Sequence, residues 1–275
     1  MPELPEVETV MRGLEPVLTS ASFSTIIQRR PNLRYPIPDN FVERLKNQQV
    51  LNLQRRAKYI LIRMSSGESM LIHLGMSGRV TISKDLGQDF EKHDHLIFET
   101  DNGHQIRYHD PRRFGFVDLF PTDEEGDHPR LKDLGPEPLS NAFSGPSLFA
   151  SFVGKNTPVK TAIMEQKRVV GVGNIYACES LYKAGINPCS KAGNLNLTQA
   201  EDLVSSIKQT LQRAIEVGGS SLNDYVQASG ELGYFQHEWQ VYGRENEPCH
   251  TCKDPIMRIT QAQRSTFYCK TCQSQ

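Results

Sequence analysis

The spacing Cys249-x-x-Cys252, sixteen residues, then Cys269-x-x-Cys272 constrains the end of this 275-residue chain more tightly than any other feature. Paired thiols at this spacing bring four sulfurs to the corners of a tetrahedron, the arrangement that holds one structural zinc ion. The stretch between the pairs, MRITQAQRSTFY, reads as a two-stranded hairpin with residues 261–264 at its tip. A hairpin this short has no core of its own, so the metal must supply its folding free energy. Arg264 would project from that tip. The chain has six cysteines, and the remaining two, Cys178 and Cys189, read as ordinary small residues. No apolar leader and no membrane-length apolar run occurs, so the chain is expected in the cytosol, where thiols stay reduced.

Upstream, the hydrophobic period changes twice. Val7, Val10, Met11 and Leu14 recur at helical spacing, so residues 5–15 are expected to form an amphipathic helix ended by Pro16. From there to about residue 120 come eight short alternating runs, beginning with SFSTIIQ at 22–28 and ending with GFVDLF at 115–120. Ser65-Ser66-Gly67-Glu68 and Asp101-Asn102-Gly103 are hairpin turns among them, and a small helix is expected at 39–47. Eight hairpin-linked strands predict an antiparallel sandwich or barrel. An acidic stretch and the Pro/Gly-rich LGPEPL then break the pattern. Beyond it the period is helical at 146–153, 159–166 and in a long helix that Thr198 and Glu201 would open as a capping box. The class is α+β: an N-terminal antiparallel sandwich or barrel with an N-terminal helix, then a helical domain carrying a β-hairpin zinc finger. The expected parts are 1–132, a linker at 133–145, a helical domain at 146–239 and the finger at 240–275.

Chemistry concentrates at the other end. Removal of Met1 from MPELPE would expose the secondary amine of Pro2, whose pKa lies near the α-amino range of about 7.7–8.0, so a useful fraction is nucleophilic at neutral pH. Such an amine can attack an anomeric carbon, and Glu3 stands beside it as a general acid or base. The plainer reading is a helix start, with Pro5 in the first turn and the acidic residues complementing the dipole. The polar clusters QRRAK (54–58), KHDH (92–95) and DPRRFG (110–115) are each matched by a charged sheet edge as an alternative. HLGMSG (73–78) would present Met76 from a Gly-flanked turn, or be an ordinary hairpin. In VVGVGNIY (169–176) no third glycine follows, which excludes a dinucleotide loop; amides and Asn174 facing an anion at a helix N-terminus fit better, with a tight turn as the alternative. Lys155 lies in a turn, where lysines are ordinarily solvated. A net charge of −1 means that any nucleic acid must be met by local basic patches.

MPELPEVET, QRRAKY, HLGMSG, DPRRFG, LGPEPL, VVGVGNIYACESL and the four-cysteine finger with QAQRSTFYC together resemble the bacterial formamidopyrimidine-DNA glycosylases along essentially the whole chain. The resemblance implies a bifunctional base-excision repair enzyme. It would remove 8-oxoguanine and formamidopyrimidines from double-stranded DNA, then cleave the abasic site as a lyase, working as a monomer on nucleoid DNA in a bacterial cytoplasm. It also implies an N-terminal β-sandwich, a helix-two-turn-helix region, one structural zinc in the finger and DNA in the cleft between domains. By position, Pro2 resembles the Schiff-base nucleophile, Glu3 its proton donor, Lys58 the proton donor for β-elimination and Arg264 that for δ-elimination. His93, Arg112 and Lys155 match DNA-binding positions and Asn174 a phosphate contact, while Met76, Arg112 and Phe114 match the residues that fill the gap left by an extruded base. A loop within 218–237 would close over that base. Two other readings stand beside this one. An endonuclease VIII-like glycosylase would act on oxidised pyrimidines, although that group usually has glycine where this chain has Leu4. A non-catalytic zinc-finger DNA-binding protein would use the basic clusters and finger alone.

Overall fold

Helix α1 (Leu4–Leu18) begins on a capping box, in which the Glu6 carboxylate accepts the Glu3 N–H at 2.8 Å and Pro5 occupies the first turn. The computed structural model describes residues 1–86, 89–220, 228 and 233–274. The apolar stripe of α1 is fully inside: Leu4, Val7, Val10, Leu14 and Leu18 are each at most 1% exposed. The helix runs through Pro16 rather than ending there. Burying Leu18 returns roughly 2 kcal/mol, more than the one backbone hydrogen bond that a last-turn proline forfeits.

Eight strands and one short helix follow: β1 (Phe23–Gln28), α2 (Phe41–Leu45), β2 (Val50–Arg56), β3 (Tyr59–Met64), β4 (Glu68–His73), β5 (Arg79–Ser83), β6 (Asp94–Thr100), β7 (Gln105–His109) and β8 (Phe116–Pro121). They form two antiparallel four-stranded sheets, ordered β1-β6-β7-β5 and β2-β3-β4-β8. Side chains from both sheets and from α1 close one core, where the Phe98 ring lies 5.1 Å from Phe23 and 6.3 Å from Phe41. This is the expected sandwich. Because β6 is an interior strand, KHDH is not a sheet edge; β2, which leads to Lys58, is one.

Helices α3 (Gly145–Phe152), α4 (Val159–Met164), α5 (Asn174–Lys183) and α6 (Leu197–Glu216) come next. Ser144 caps α3, its hydroxyl accepting the Ser147 N–H at 3.3 Å. The box opening α6 is Asn196 with Gln199, at 2.9 and 3.0 Å, not Thr198 with Glu201. Asn196 meets the free amides two residues earlier, which leaves Thr198 and Glu201 inside the helix. Strands β9 (Met257–Gln261) and β10 (Arg264–Tyr268) form the finger hairpin, with Arg264 opposite Gln261. The turn between them, Ala262-Gln263, has φ of +45° and +61°. That is the left-handed turn whose twist suits a two-residue hairpin, here made without glycine.

By contacts the chain divides into Met1–Lys132 with Val217–Gln236 and Asp133–Glu216 with His237–Gln275. Among the described residues, the returning segment is hydrogen-bonded to the rest of the first unit through the Ser220 N–H, which donates to Glu6 at 2.8 Å, and the Ala228 carbonyl, which accepts the Ile82 N–H at 3.1 Å. Most of the loop expected within 218–237 lies outside the described residues. No helix among the described residues is long and apolar enough to cross a membrane.

Candidate active site

In the first unit a cavity of about 610 Å³ is lined by Met1, Arg34, His73, Met76, Arg112 and Phe114, among others. Met1 is 47% exposed, while Pro2 and Glu3 are buried behind it. Met1, the residue bonded to the Pro2 nitrogen, lines that cavity, and Pro2 directly precedes α1, which is locked in the core. Glu3, the residue after Pro2, is the N-cap of α1. Lys58 is only 9% exposed; it sits in the β2–β3 turn, which Ala57 makes possible with a φ of +53°. Of the three cations in that cluster, Arg55 is held by Glu8 at 2.7 Å and ties β2 to α1.

His73 was missed by sequence reasoning because a histidine ending an apolar strand reads as core. Burial comes first, then the charges of Lys58, Arg34 and Arg130, and together they lower its pKa to about 4. The ring is thus neutral at pH 7. Its Nδ1 accepts the Gly75 N–H at 3.1 Å, so the proton sits on Nε2, a donor at the cavity wall. Its position directly before a Gly-flanked turn was the available signal.

The turns bearing Met76 and Phe114 touch backbone to backbone. Gly75 has a φ of +64°, and a Cβ there would lie 2.3 Å from the Gly115 nitrogen; at Gly115 a Cβ would meet the Tyr108 hydroxyl at 1.8 Å. Only glycine fits either place. Met76 and Phe114, 38% and 43% exposed, are thereby held up from adjacent turns. The Arg112 guanidinium lies 4.9 Å from the Phe114 ring centroid, so the two share one side. They do so through a turn in which Arg113 takes a φ of +55°, not through an extended segment.

His93 packs edge-on against His109 at 5.8 Å. Glu91, Asp94 and His109 bring ligand atoms together, but Asp94 is bound to His109 at 2.9 Å and to Arg107 at 3.4 Å, and Glu91 reaches Arg79 at 3.5 Å. That group is an ion-pair brace beneath His93.

In the second unit Asn174 opens α5 and turns its side chain toward the finger, donating to the Ser265 carbonyl at 2.9 Å. Lys160, 1% exposed, donates to Asn174 Oδ1 at 2.6 Å, Thr266 Oγ1 at 2.8 Å and the Ser265 carbonyl at 3.3 Å. A lysine in a short helix reads as solvated, so sequence reasoning passed over it; the apolar Val159, Ala162 and Ile163 around it were the signal. This network fixes the hairpin whose exposed Arg264 adjoins Ser265. Glu179 supports the finger from α5: its buried carboxylate, with pKa raised by desolvation, accepts the N–H groups of Gln240, Val241 and Tyr242 at 2.8–3.0 Å. Lys155 is exposed in the turn after α3.

The four thiols lie within 4.8 Å of one another, with Cys249–Cys272 at 3.8 Å and Cys252–Cys269 at 3.4 Å. A tetrahedron with zinc–sulfur bonds of about 2.3 Å needs edges of roughly 3.8 Å, so the donor set fits one structural zinc.

Family profiles match in three blocks: the formamidopyrimidine-DNA glycosylase N-terminal domain at residues 1–117, the H2TH domain of the same enzymes at 134–226, and the zinc finger found in FPG and IleRS at 246–275. The formamidopyrimidine-DNA glycosylase of Ruegeria pomeroyi is 53% identical over 282 residues, covering 99% of this chain and all of the relative. The Thermus thermophilus MutM (Fpg) crystal structure matches with a TM-score of 0.89 at 34% identity, covering 99% of both chains. A Lactococcus lactis Fpg variant bound to Fapy-dG-containing DNA matches with a TM-score of 0.92 at 33% identity, over 100% of both chains. The chain belongs to the formamidopyrimidine-DNA glycosylase family. It is a bifunctional enzyme, a DNA glycosylase with abasic-site lyase activity.

Proposed function

We propose that this enzyme excises oxidised purines, 8-oxoguanine and formamidopyrimidines, from duplex DNA through a covalent iminium at Pro2, then removes the sugar by β- and δ-elimination. The Pro2 nitrogen attacks C1′ of the damaged nucleotide and the base leaves with the bonding electrons. Glu3 delivers a proton to the ring oxygen as the sugar opens, which converts the adduct to an iminium ion. That cation acidifies C2′; loss of the C2′ proton expels the 3′ phosphate, with Lys58 as proton donor, and a second elimination expels the 5′ phosphate, with Arg264 as donor. His93, Arg112 and Lys155 bind the DNA and Asn174 contacts a phosphate, and Met76, Arg112 and Phe114 fill the gap once the base has left the stack. Zinc keeps the finger folded and enters no step. The functional parts are a catalytic domain at 1–132, a linker at 133–145, a helix-two-turn-helix domain at 146–239 and the finger at 240–275. The setting is the bacterial cytoplasm.

The observation that carries this reading is the shared cavity: the chain terminus, a neutral histidine and the three gap-filling side chains line one space in the first unit. The Lactococcus lactis relative has been crystallised with Fapy-dG-containing DNA and with abasic-site DNA, which supports both as ligands for this chain. Single-turnover excision from duplexes carrying 8-oxoguanine, a formamidopyrimidine or an oxidised pyrimidine tests it. The two purine lesions should be released at least about tenfold faster, a ~1.4 kcal/mol difference in barrier. Preferential release of the pyrimidine would establish the endonuclease VIII-like alternative, and binding without release the non-catalytic one.

A further inference from the structure

Two turns carry the three side chains assigned to the gap, and one buried carboxylate is tied to both of them. Asp110 is 0% exposed and lies between β7 and β8. One of its oxygens accepts the Ser77 hydroxyl at 2.6 Å, one residue after Met76. The other accepts the Gly115 N–H at 2.9 Å, one residue after Phe114. Ser77 Oγ in turn accepts the Arg112 N–H at 3.2 Å, so the hydroxyl relays the carboxylate to the third side chain. The Asp110 main chain extends the network: its N–H donates to the His93 carbonyl at 3.1 Å, and its carbonyl accepts from His95 Nε2 at 2.9 Å. A buried carboxylate that accepts from two loops at once has no second low-energy arrangement, since moving either loop strands a charge or an N–H away from water.

We infer that Asp110 is the positioning residue that holds Met76, Arg112 and Phe114 in the single arrangement able to fill the space left by an extruded base. This rests on the gap-filling reading of those three side chains. Asp110 touches neither the base nor the reacting sugar. It acts by removing the freedom of two adjacent turns, so that the three side chains arrive together rather than one at a time. Ser77 is the joint through which it governs two of the three.

The test compares Ser77→Ala, Asp110→Asn and Phe114→Ala on two substrates: a lesion in intact duplex, where extrusion must be stabilised, and a preformed abasic site, where it need not be. Ser77→Ala removes only a buried hydroxyl and keeps the fold in reach even where Asp110→Asn does not. Ser77→Ala should slow lesion release about tenfold, ~1.4 kcal/mol in barrier, and change abasic-site cleavage less than about twofold. In a Phe114→Ala background the same substitution should add much less than tenfold, because the two act as one unit. Full lesion release by Ser77→Ala and Asp110→Asn, with Phe114→Ala still impaired on duplex, overturns the positioning role and leaves the gap-filling reading standing. Equal slowing of both substrates by Ser77→Ala makes the network a general support of the fold and overturns the inference as well. Equal slowing by Phe114→Ala removes the gap-filling reading, and the inference falls with it.

Discussion

The N-terminus, proposed to be catalytic, and the finger are both small polar sites, yet they are held in place by different physics. Pro2 and Glu3 stand at the head of a helix whose apolar stripe is sealed into a two-sheet core, so their position comes from burial. The hairpin of β9 and β10 buries little: Met257 is 40% exposed, and of the ten strand residues only Thr266 and Phe267 are inside. Its position comes from four thiolates at one end and from Lys160 and Asn174 beside the strand next to its tip. A site built on a core resists single changes, whereas a site built on a few polar groups fails when one is removed.

The largest effect that separates the two regions is metal removal. Structural zinc contributes about 10 kcal/mol or more to small finger folds, whereas the sandwich owes it nothing. Chelation, or Cys249→Ala, should release the amides of residues 257–268 to fast hydrogen exchange while those of β3 and β7 stay protected. Protected finger amides in zinc-free protein would contradict the division.

Next comes Lys160→Met, which keeps the chain length but leaves Asn174 Oδ1 and Thr266 Oγ1 without this donor. The expected cost is about 2–3 kcal/mol, confined to the second unit and accompanied by weaker binding to abasic-site duplex. Urea unfolding with a unit-specific probe measures it; a loss below about 0.5 kcal/mol would show that the network is incidental.

A smaller effect belongs to the cavity wall. His73 has a folded pKa of about 4, below its ordinary 6.5, so the unfolded chain binds the proton more readily between those values. Its stabilising contribution is complete above about pH 6.5 and is lost as pH falls toward 4. In His73→Asn, where the amide oxygen can replace Nδ1 as the acceptor for Gly75, the stability of the first unit should fall less steeply over that window, by ~1–2 kcal/mol. Parallel pH slopes in the two proteins would mean that the ring is not held neutral by the fold.

Much of this architecture was legible in the chain. Each of the eight short runs became a strand, although burial alternates cleanly in few of them: β7 is buried at all five positions and β6 at six of seven, so short length and the bounding turns carried the signal there. The four thiols were legible because a metal site imposes its own spacing. Partnership across the sandwich was not: β2-β3-β4 follow from hairpin turns, but β8 beside β4 and β1 beside β6 are long-range pairings that no local pattern encodes. The same limit hid Lys160 and Asp110, whose meaning lies in partners up to 106 and 33 residues away. Pro16 and the cap at Asn196 were misplaced for a related reason: packing of Leu18 and a competing side-chain cap decided them, not propensity.

The central claim is that the Pro2 nitrogen is the nucleophile, and borohydride trapping tests it most directly. Two preparations are needed, one with Met1 removed and one with Met1 retained, their termini verified by mass spectrometry. With borohydride and lesion-containing duplex, the processed enzyme should give a stable protein–DNA adduct whose cross-linked peptide begins at Pro2. The Met1-retaining form, with a tertiary amide in place of the amine, should give none. Equal trapping by both forms, or an adduct mapped to Lys58 or another lysine, would contradict the account.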